Sequence, residues 1–140
     1  MRKIIFATHH QMASGLKDTF NYIAPNVAKI ITVDAYMDNT PVDVQIKALL
    51  DDLDTQDELI IFTDLLGGSV NQAFVKYLTQ PHIHLITGIN LPVILTILLA
   101  LPKENYLSPT TIRNALTDAR TQLIYVNDYL TAQIQDGDDE

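Results

Sequence analysis

The sequence contains no cysteine, few basic residues and no uninterrupted apolar run of membrane-spanning length. The lack of cysteine excludes disulfides, thiol chemistry and cysteine-based metal sites. Lysine and arginine together number 9, against 17 aspartates and glutamates, which gives a net charge of -8. A chain this acidic is poorly suited to bind nucleic acid or an anionic membrane by charge. We therefore expect no nucleic-acid partner.

The most apolar stretch, residues 86–101, is interrupted by a glycine, an asparagine and a proline in its first half. A spanning helix needs ~20 apolar residues, so this stretch predicts a buried strand, a turn and a buried helix instead. The apolar run near the start is too short for a signal peptide, because His9 and His10 end it. These features predict a cytoplasmic protein.

The chain has 140 residues, of which 47% are apolar and 19% charged, as expected for one folded domain. Short apolar runs predict strands at residues 3–8, 27–33, 58–63 and 82–86. Apolar residues at helical spacing predict helices at 11–24, 41–51, 70–78, 91–101 and 110–121. The alternation predicts an α/β fold, a three-layer α/β/α sandwich around a mostly parallel four-stranded sheet.

The end of the chain is predicted to differ from the rest. Residues 123–130 mix apolar and polar side chains in a way that suits an antiparallel edge strand. Residues 131–140 are polar and acidic, so we expect a flexible tail after a domain that spans 1–130.

Ligands of such sheets bind outside the carboxyl ends of the strands, where the topology changes direction. Thr8, His9 and His10 end or follow the first predicted strand. Asp64 and a glycine-rich turn follow the third, and Thr87 to Asn90 follow the fourth. One crevice is thus predicted to collect a histidine, a carboxylate, a tight turn and several hydroxyl or amide groups.

This set of groups suits phosphoryl transfer to nitrogen. A neutral imidazole attacks phosphorus with one nitrogen while its other nitrogen holds the proton, and Asp64 is placed to fix that tautomer of His9. Backbone amides at the start of the first helix, together with amides near two adjacent glycines, would bind the phosphoryl oxygens. Side-chain hydroxyls would donate further hydrogen bonds to the phosphoryl oxygens. The predicted phosphate-binding residues are Thr8, Gly67, Gly68 and Ser69.

Three segments resemble the mannose, fructose and sorbose family of enzyme IIA components of the sugar phosphotransferase system. The family's Ser/Thr-His-Gly segment and following helix are similar to residues 8–16, THHQMASGL. Its Asp-x-x-Gly-Gly-Ser segment is similar to residues 64–69, DLLGGS. Its Gly-x-Asn-Leu/Ile-Pro segment is similar to residues 88–92, GINLP. The segments keep the family's order, and the resemblance extends over residues 3–130.

The resemblance implies a phosphotransferase that carries a phosphoryl group on His9, with Asp64 hydrogen-bonded to the imidazole. The implied donor is the carrier HPr and the implied acceptor a IIB component, with membrane components IIC and IID involved only indirectly. It also implies a homodimer, in some members formed by exchange of the final strand, here residues 123–130. No cofactor or metal is implied.

Apolar and amide side chains near the crevice are candidates for docking of these carriers. They are Met12, Leu65, Leu66 and Asn90, with Leu91 either part of that surface or buried in the core. His10 departs from the family's glycine, so it must point away or take a role of its own. His82 and His84, two apart on one predicted strand, share a face, yet no third metal ligand is evident.

Other functions remain open at this point. The first alternative is the related phosphocarrier subunit of dihydroxyacetone kinase, which resembles Met-Gly-Ser rather than Gly-Gly-Ser in the second segment. The second is a phosphorylation-sensing regulatory domain that has no catalysis of its own. The third is a flavodoxin-like domain that binds a small ligand, which an aromatic-lined slot would support. The candidate loops of the prediction contain no aromatic residue.

Overall fold

A computed structural model describes residues 1–138 and, within that range, holds four β-strands and six α-helices. The strands are β1 (Arg2–His9), β2 (Ile30–Ala35), β3 (Glu58–Thr63) and β4 (Ile83–Ile86). The helices are α1 (Met12–Ile23), α2 (Val42–Leu50), α3 (Ser69–Val75), α4 (Leu91–Leu99), α5 (Pro109–Arg120) and α6 (Val126–Asp138), and a 3-10 helix at Lys76–Thr79 continues α3.

The strands of residues 1–138 form one four-stranded parallel sheet in the order β2-β1-β3-β4. Side chains of β1 alternate between its two faces, as strand geometry requires. Ile4 and Phe6 pack with the buried residues of α1, α4 and α5 on one face. Ile5 and Ala7 pack with those of α2 and α3 on the other. The predicted three-layer α/β/α architecture is therefore confirmed.

Capping residues mark the first residues of two helices beside the sheet, α4 and α5. The side chain of Asn90 accepts a hydrogen bond from the Val93 N–H at 2.9 Å, and Pro92 stands in the first turn of α4. Ser108 caps α5 in the same way. As predicted, the most apolar stretch of the sequence forms a turn and the buried helix α4. Among the residues that the structure describes, no helix is both long and apolar enough to cross a membrane.

The order of the strands creates a switch point at the centre of the sheet. From β1 the chain moves outward to β2, then returns past β1 to add β3 and β4 on the other side. The loops that follow β1 and β3 therefore leave the sheet in opposite directions and open a crevice between them. His9 ends β1, and Asp64 directly follows β3, so both residues lie at this crevice.

The predicted edge strand at residues 123–130 is wrong for this chain. Residues 123–125 have no regular structure, and helix α6 begins at Val126. Apolar side chains recur there at helical spacing, at Val126, Tyr129, Leu130 and Ile134. A helix satisfies its own backbone groups, whereas an edge strand must find a second strand to pair with. The predicted tail lies in α6 as far as Asp138, and residues 139–140 lie outside the described residues.

Candidate functional site

Asp64 holds both the backbone and the ring of His9. Its Oδ2 accepts the His9 backbone N–H at 2.9 Å and lies 2.8 Å from ring Nδ1. Because a carboxylate only accepts, Nδ1 carries the proton of the neutral ring and Nε2 keeps a lone pair. The His9 side chain is 37% exposed and that of Asp64 only 11%. The site therefore presents an oriented imidazole that solvent reaches.

The electrostatics of Asp64 favour its charged form. Burial by itself would raise the pKa of this carboxyl. Hydrogen bonds from the His9 backbone, the His9 ring and its own backbone, with the attraction of the His9 ring in its protonated form, outweigh burial and hold the pKa below its ordinary value. A carboxylate that stays ionised at neutral pH is a constant acceptor for the ring N–H.

The glycine turn after β3 passes close to the imidazole. Gly67 has a φ of +75°, a left-handed conformation that glycine adopts at little cost. A Cβ added to Gly68 would lie 3.2 Å from the Leu65 carbonyl oxygen and 3.6 Å from Cε1 of His9. The turn thus runs against the ring edge that lies between the two nitrogens, and a larger residue at 68 would crowd it.

Tyr36 is a residue of this crevice that the sequence prediction missed. Its ring centroid lies 5.3 Å from that of His9 at 30° between planes, and its hydroxyl is hydrogen-bonded to the Ser69 hydroxyl. The second strand was predicted to end at Val33, but β2 continues to Ala35, which brings Tyr36 to its carboxyl end. The candidate loops of the prediction, after the first, third and fourth strands, contain no aromatic residue, but Tyr36 comes from the loop after the second strand, which the prediction did not include. Placing the strand end two residues later would have revealed Tyr36.

Thr8 and the start of α1 are arranged differently from the prediction. Thr8 is fully buried, and its hydroxyl oxygen accepts the Ala13 N–H at 2.8 Å. The carboxylate of Asp34 accepts the Ser14 N–H at 3.1 Å. Side chains of the protein therefore occupy amides that were expected to bind phosphoryl oxygens. The position of Thr8 fits a structural role, because strand alternation directs its side chain into the interior.

The predicted docking residues differ in how much of each residue is exposed to solvent. Met12, Leu65 and Leu66 are 43%, 58% and 84% exposed. Asn90 is exposed as well, and its side-chain oxygen is already used to cap α4. Leu91 is half-buried at the start of the same helix. The structure therefore leaves three apolar side chains available beside the crevice.

The three remaining histidines lie outside the contact between His9 and Asp64. His10 is exposed and adopts a φ of +50°, the left-handed region that glycine prefers. His82 precedes β4 with a φ of +64°, and its ring stacks on Tyr106 at 3.5 Å between centroids. Of the two histidines predicted to share a strand face, only His84 belongs to β4.

Fold and site together define a class of protein: a three-layer α/β domain with a carboxylate-oriented, solvent-accessible histidine at the switch point of its sheet. The family described as the PTS system fructose IIA component matches residues 3–110. The chain therefore belongs to this fructose and mannose IIA family of the sugar phosphotransferase system. As a IIA component it is a phosphocarrier of sugar transport that takes part in phosphoryl transfer with other components of that system.

Solved structures agree with this assignment. A Klebsiella pneumoniae protein assigned as a phosphoenolpyruvate-dependent sugar phosphotransferase permease is 37% identical, with a TM-score of 0.84 over 92% of this chain and 93% of that one. A Streptococcus pneumoniae IIA protein associated with a fucose utilization operon is 24% identical, with a TM-score of 0.74 over 92% and 96%. A mannose/sorbose-specific IIA subunit from Enterococcus faecalis is 18% identical, with a TM-score of 0.71 over 88% and 92%. The last two show the fold alone. No curated protein sequence matches the chain.

Proposed function

We propose that Nε2 of His9 accepts a phosphoryl group from phospho-HPr and that the chain then passes it to a IIB component for sugar uptake. The observation that carries this proposal is the contact between Asp64 Oδ2 and His9 Nδ1 at 2.8 Å. It leaves the other ring nitrogen as a nucleophile in a crevice that another protein can reach.

Each half of the transfer exchanges one bond for another. The lone pair of His9 Nε2 forms a bond to phosphorus while the bond to the donor's imidazole nitrogen breaks, and that electron pair returns to the donor ring. The Nδ1 proton stays between the ring and Asp64, whose charge stabilises the positive charge that the ring gains. A nucleophile on IIB then attacks phosphorus, and the electron pair of the Nε2–P bond returns to His9.

The loop after β3 supports the binding of the phosphoryl group. Gly68 lies against the edge of the His9 ring, and Ser69, next in the chain, is an exposed residue. A serine hydroxyl that reached a phosphoryl group on Nε2 would donate a hydrogen bond to one of its oxygens. We assign Gly67, Gly68 and Ser69 to this role.

Apolar side chains support docking of two different carriers at one crevice. Met12, Leu65 and Leu66 are exposed although they are apolar, and Leu65 and Leu66 directly follow Asp64. Both carriers must reach the same nitrogen, so they use this surface in turn. Neighbouring apolar side chains that remain exposed often mark a surface that binds another protein.

The C-terminal segment supports the proposed homodimer. The apolar residues of 123–134 remain exposed, among them Leu123 at 88% and Ile134 at 66%. A second copy of the chain would cover them and recover part of the free energy of burial. Sedimentation equilibrium should report two chains per particle, and Leu130→Asp should shift the distribution toward one.

Incubation with phosphoenolpyruvate, enzyme I and HPr, followed by intact mass, tests the proposed transfer. We expect the gain of one phosphoryl group that is labile in acid and stable in base, and its loss to a IIB component. His9→Ala should abolish the gain, and His10→Ala is the matched control that should keep it. A phosphorylated His9→Ala protein, or no gain in the wild type, would contradict the proposal.

A further inference from the structure

Tyr36 contacts both the His9 ring and the Ser69 hydroxyl, yet the proposed function assigns it no role. We propose that Tyr36 is a positioning residue for phosphoryl transfer: its ring packs beside the His9 imidazole while its hydroxyl orients the hydroxyl of Ser69. This inference rests on the proposed function of His9.

Sheet order places Tyr36 opposite Asp64. Strand β1 lies between β2 and β3, and Tyr36 follows β2 as Asp64 follows β3. In the register of the sheet His9 pairs with Ala35, the residue before Tyr36. The backbone N–H of His10 donates to the Ala35 carbonyl at 2.8 Å, which ties the two strand ends together. The imidazole is therefore held between a carboxylate from one neighbouring strand and a phenol from the other.

The backbone of Tyr36 is unusual for an aromatic residue. Its φ is +66°, in the left-handed region that a bulky side chain rarely adopts. Residues in such conformations persist where surrounding contacts hold them, and they concentrate at functional sites. Here the Tyr36 ring lies 5.3 Å from the His9 ring between centroids, and its hydroxyl is hydrogen-bonded to the Ser69 hydroxyl. These two interactions of the strained residue are both with members of the proposed site.

The hydroxyl pair gives the contact a chemical consequence. When Tyr36 Oη donates to Ser69 Oγ, the serine proton is directed elsewhere and is free to donate to a phosphoryl oxygen. A hydroxyl that accepts one hydrogen bond is also a stronger donor in the next. No proton changes owner in this arrangement. Tyr36 thus acts on the phosphoryl group through Ser69.

Steady-state transfer from phospho-HPr tests the inference with conservative variants. Tyr36→Phe keeps the ring but removes the hydroxyl, so kcat should fall about threefold to tenfold, the effect of one lost hydrogen bond. KM should not change, because the surface offered to HPr is retained. Ser69→Ala should slow transfer, and adding Tyr36→Phe to it should cause no further loss. Tyr22→Phe is the matched control, since Tyr22 is 88% exposed on α1, and it should transfer at the wild-type rate.

Phosphoramidate, a small phosphoryl donor that needs no docking, separates this inference from the proposed function. Tyr36→Phe should accept from it several-fold more slowly than the wild type. If the wild type accepts on His9 and Tyr36→Phe equals it with both donors, the role of Tyr36 is overturned while the proposed function stands. Losses that simply multiply in the double variant would also overturn it. A wild type that accepts from neither donor overturns the proposed function first and this inference with it.

Discussion

Both ends of the parallel sheet place a carboxylate near a histidine, but the two ends use the pair differently. At the carboxyl end, Asp64 contacts the ring of His9 directly, and that ring is partly open to solvent. At the amino end, Glu58 is almost fully buried and accepts from the Arg2 guanidinium and the Leu107 N–H. His84 lies nearby, and burial lowers its pKa.

The difference separates a carboxylate that orients a histidine ring from one that anchors the fold. Glu58 has both oxygens occupied by other donors, so its charge anchors the segment before α5 to the sheet. The same segment is held by Arg2, whose guanidinium also donates to the carbonyls of Pro102 and Asn105. Asp64 instead fixes one histidine nitrogen and leaves the second one free. The proposed reactivity of His9 therefore depends on an unoccupied ring nitrogen, not merely on the proximity of acid and histidine.

The largest expected effect comes from Asp64→Asn. An amide that turns its NH₂ toward Nδ1 moves the ring proton to Nε2 and removes the nucleophilic lone pair. A hydrogen bond to a charged group contributes about 1.5–3 kcal/mol, so the rate of His9 phosphorylation should fall about 10- to 100-fold. The side chain keeps its shape, and the fold should persist. Timed intact mass after addition of phospho-HPr measures the rate.

Glu58→Gln is the matched control at the opposite end of the sheet. It leaves Arg2 without its carboxylate partner, so urea unfolding should show a loss of about 1–3 kcal/mol. Phosphoryl transfer should stay at the wild-type rate. If Glu58→Gln slowed transfer as much as Asp64→Asn, or if Asp64→Asn transferred normally, the distinction between the two ends would fail. In the second case Asp64 would serve only the structure.

The sheet and its central site could be predicted because their signals are local. Buried apolar runs mark β1 and β3, and helical spacing marks the helices between them. Once parallel alternation is recognised, the switch-point rule needs only the order of the elements to bring His9 and Asp64 to one crevice. The family resemblance added the roles of these residues, and the family match over residues 3–110 bears out that resemblance.

The parts that could not be predicted depend on contacts distant in sequence. The structure of residues 123–130 depends on whether a second strand is present to pair with them, which no local pattern encodes. The proposed role of Tyr36 depends on a strand end two residues beyond the predicted one and on a hydroxyl 33 residues away. The direction of the Thr8 side chain follows from strand alternation, but its partner Ala13 becomes evident only once α1 is placed.

A smaller effect is expected from His84, as a dependence of stability on pH. Burial lowers the pKa of this imidazole, and nearby His82 adds to that, while Glu58 and a hydrogen bond to Leu107 act in the opposite direction. The folded chain therefore holds His84 neutral more firmly than the unfolded chain does. Its contribution is complete above the unfolded value of 6.5 and is lost as pH falls through the folded pKa.

The variant His84→Gln should accordingly lose less stability than the wild type as pH falls below about 6.5. Urea unfolding at a series of pH values measures this difference, and above about pH 8, where the ring is neutral in both states, the two curves should run parallel. Parallel curves through the acidic range would instead assign the pH dependence to other groups.

The smallest expected effect concerns the backbone beside His9. His10 has a φ of +50°, and its backbone N–H bond to Ala35 fixes that conformation. Glycine would relieve the strain of about 1–2 kcal/mol but gain more freedom when unfolded, so His10→Gly should stabilise by about 0.5 kcal/mol. Gly67→Ala is the opposite substitution at a φ of +75°, with open space around the added methyl. It should destabilise by about 1 kcal/mol.

Transfer by His10→Gly should match the wild type, because within the described residues the His10 N–H bonds to Ala35 and not to Asp64 or the glycine turn. Equal stabilities of wild type and both variants would show that left-handed backbone costs little at this end of the sheet. A gain in stability for His10→Gly together with a loss for Gly67→Ala would show that the left-handed backbone conformation itself carries the energetic cost. They would also explain why a histidine can replace the family's glycine: the conformation is kept by the Ala35 hydrogen bond, at an energetic cost too small to disturb the imidazole beside it.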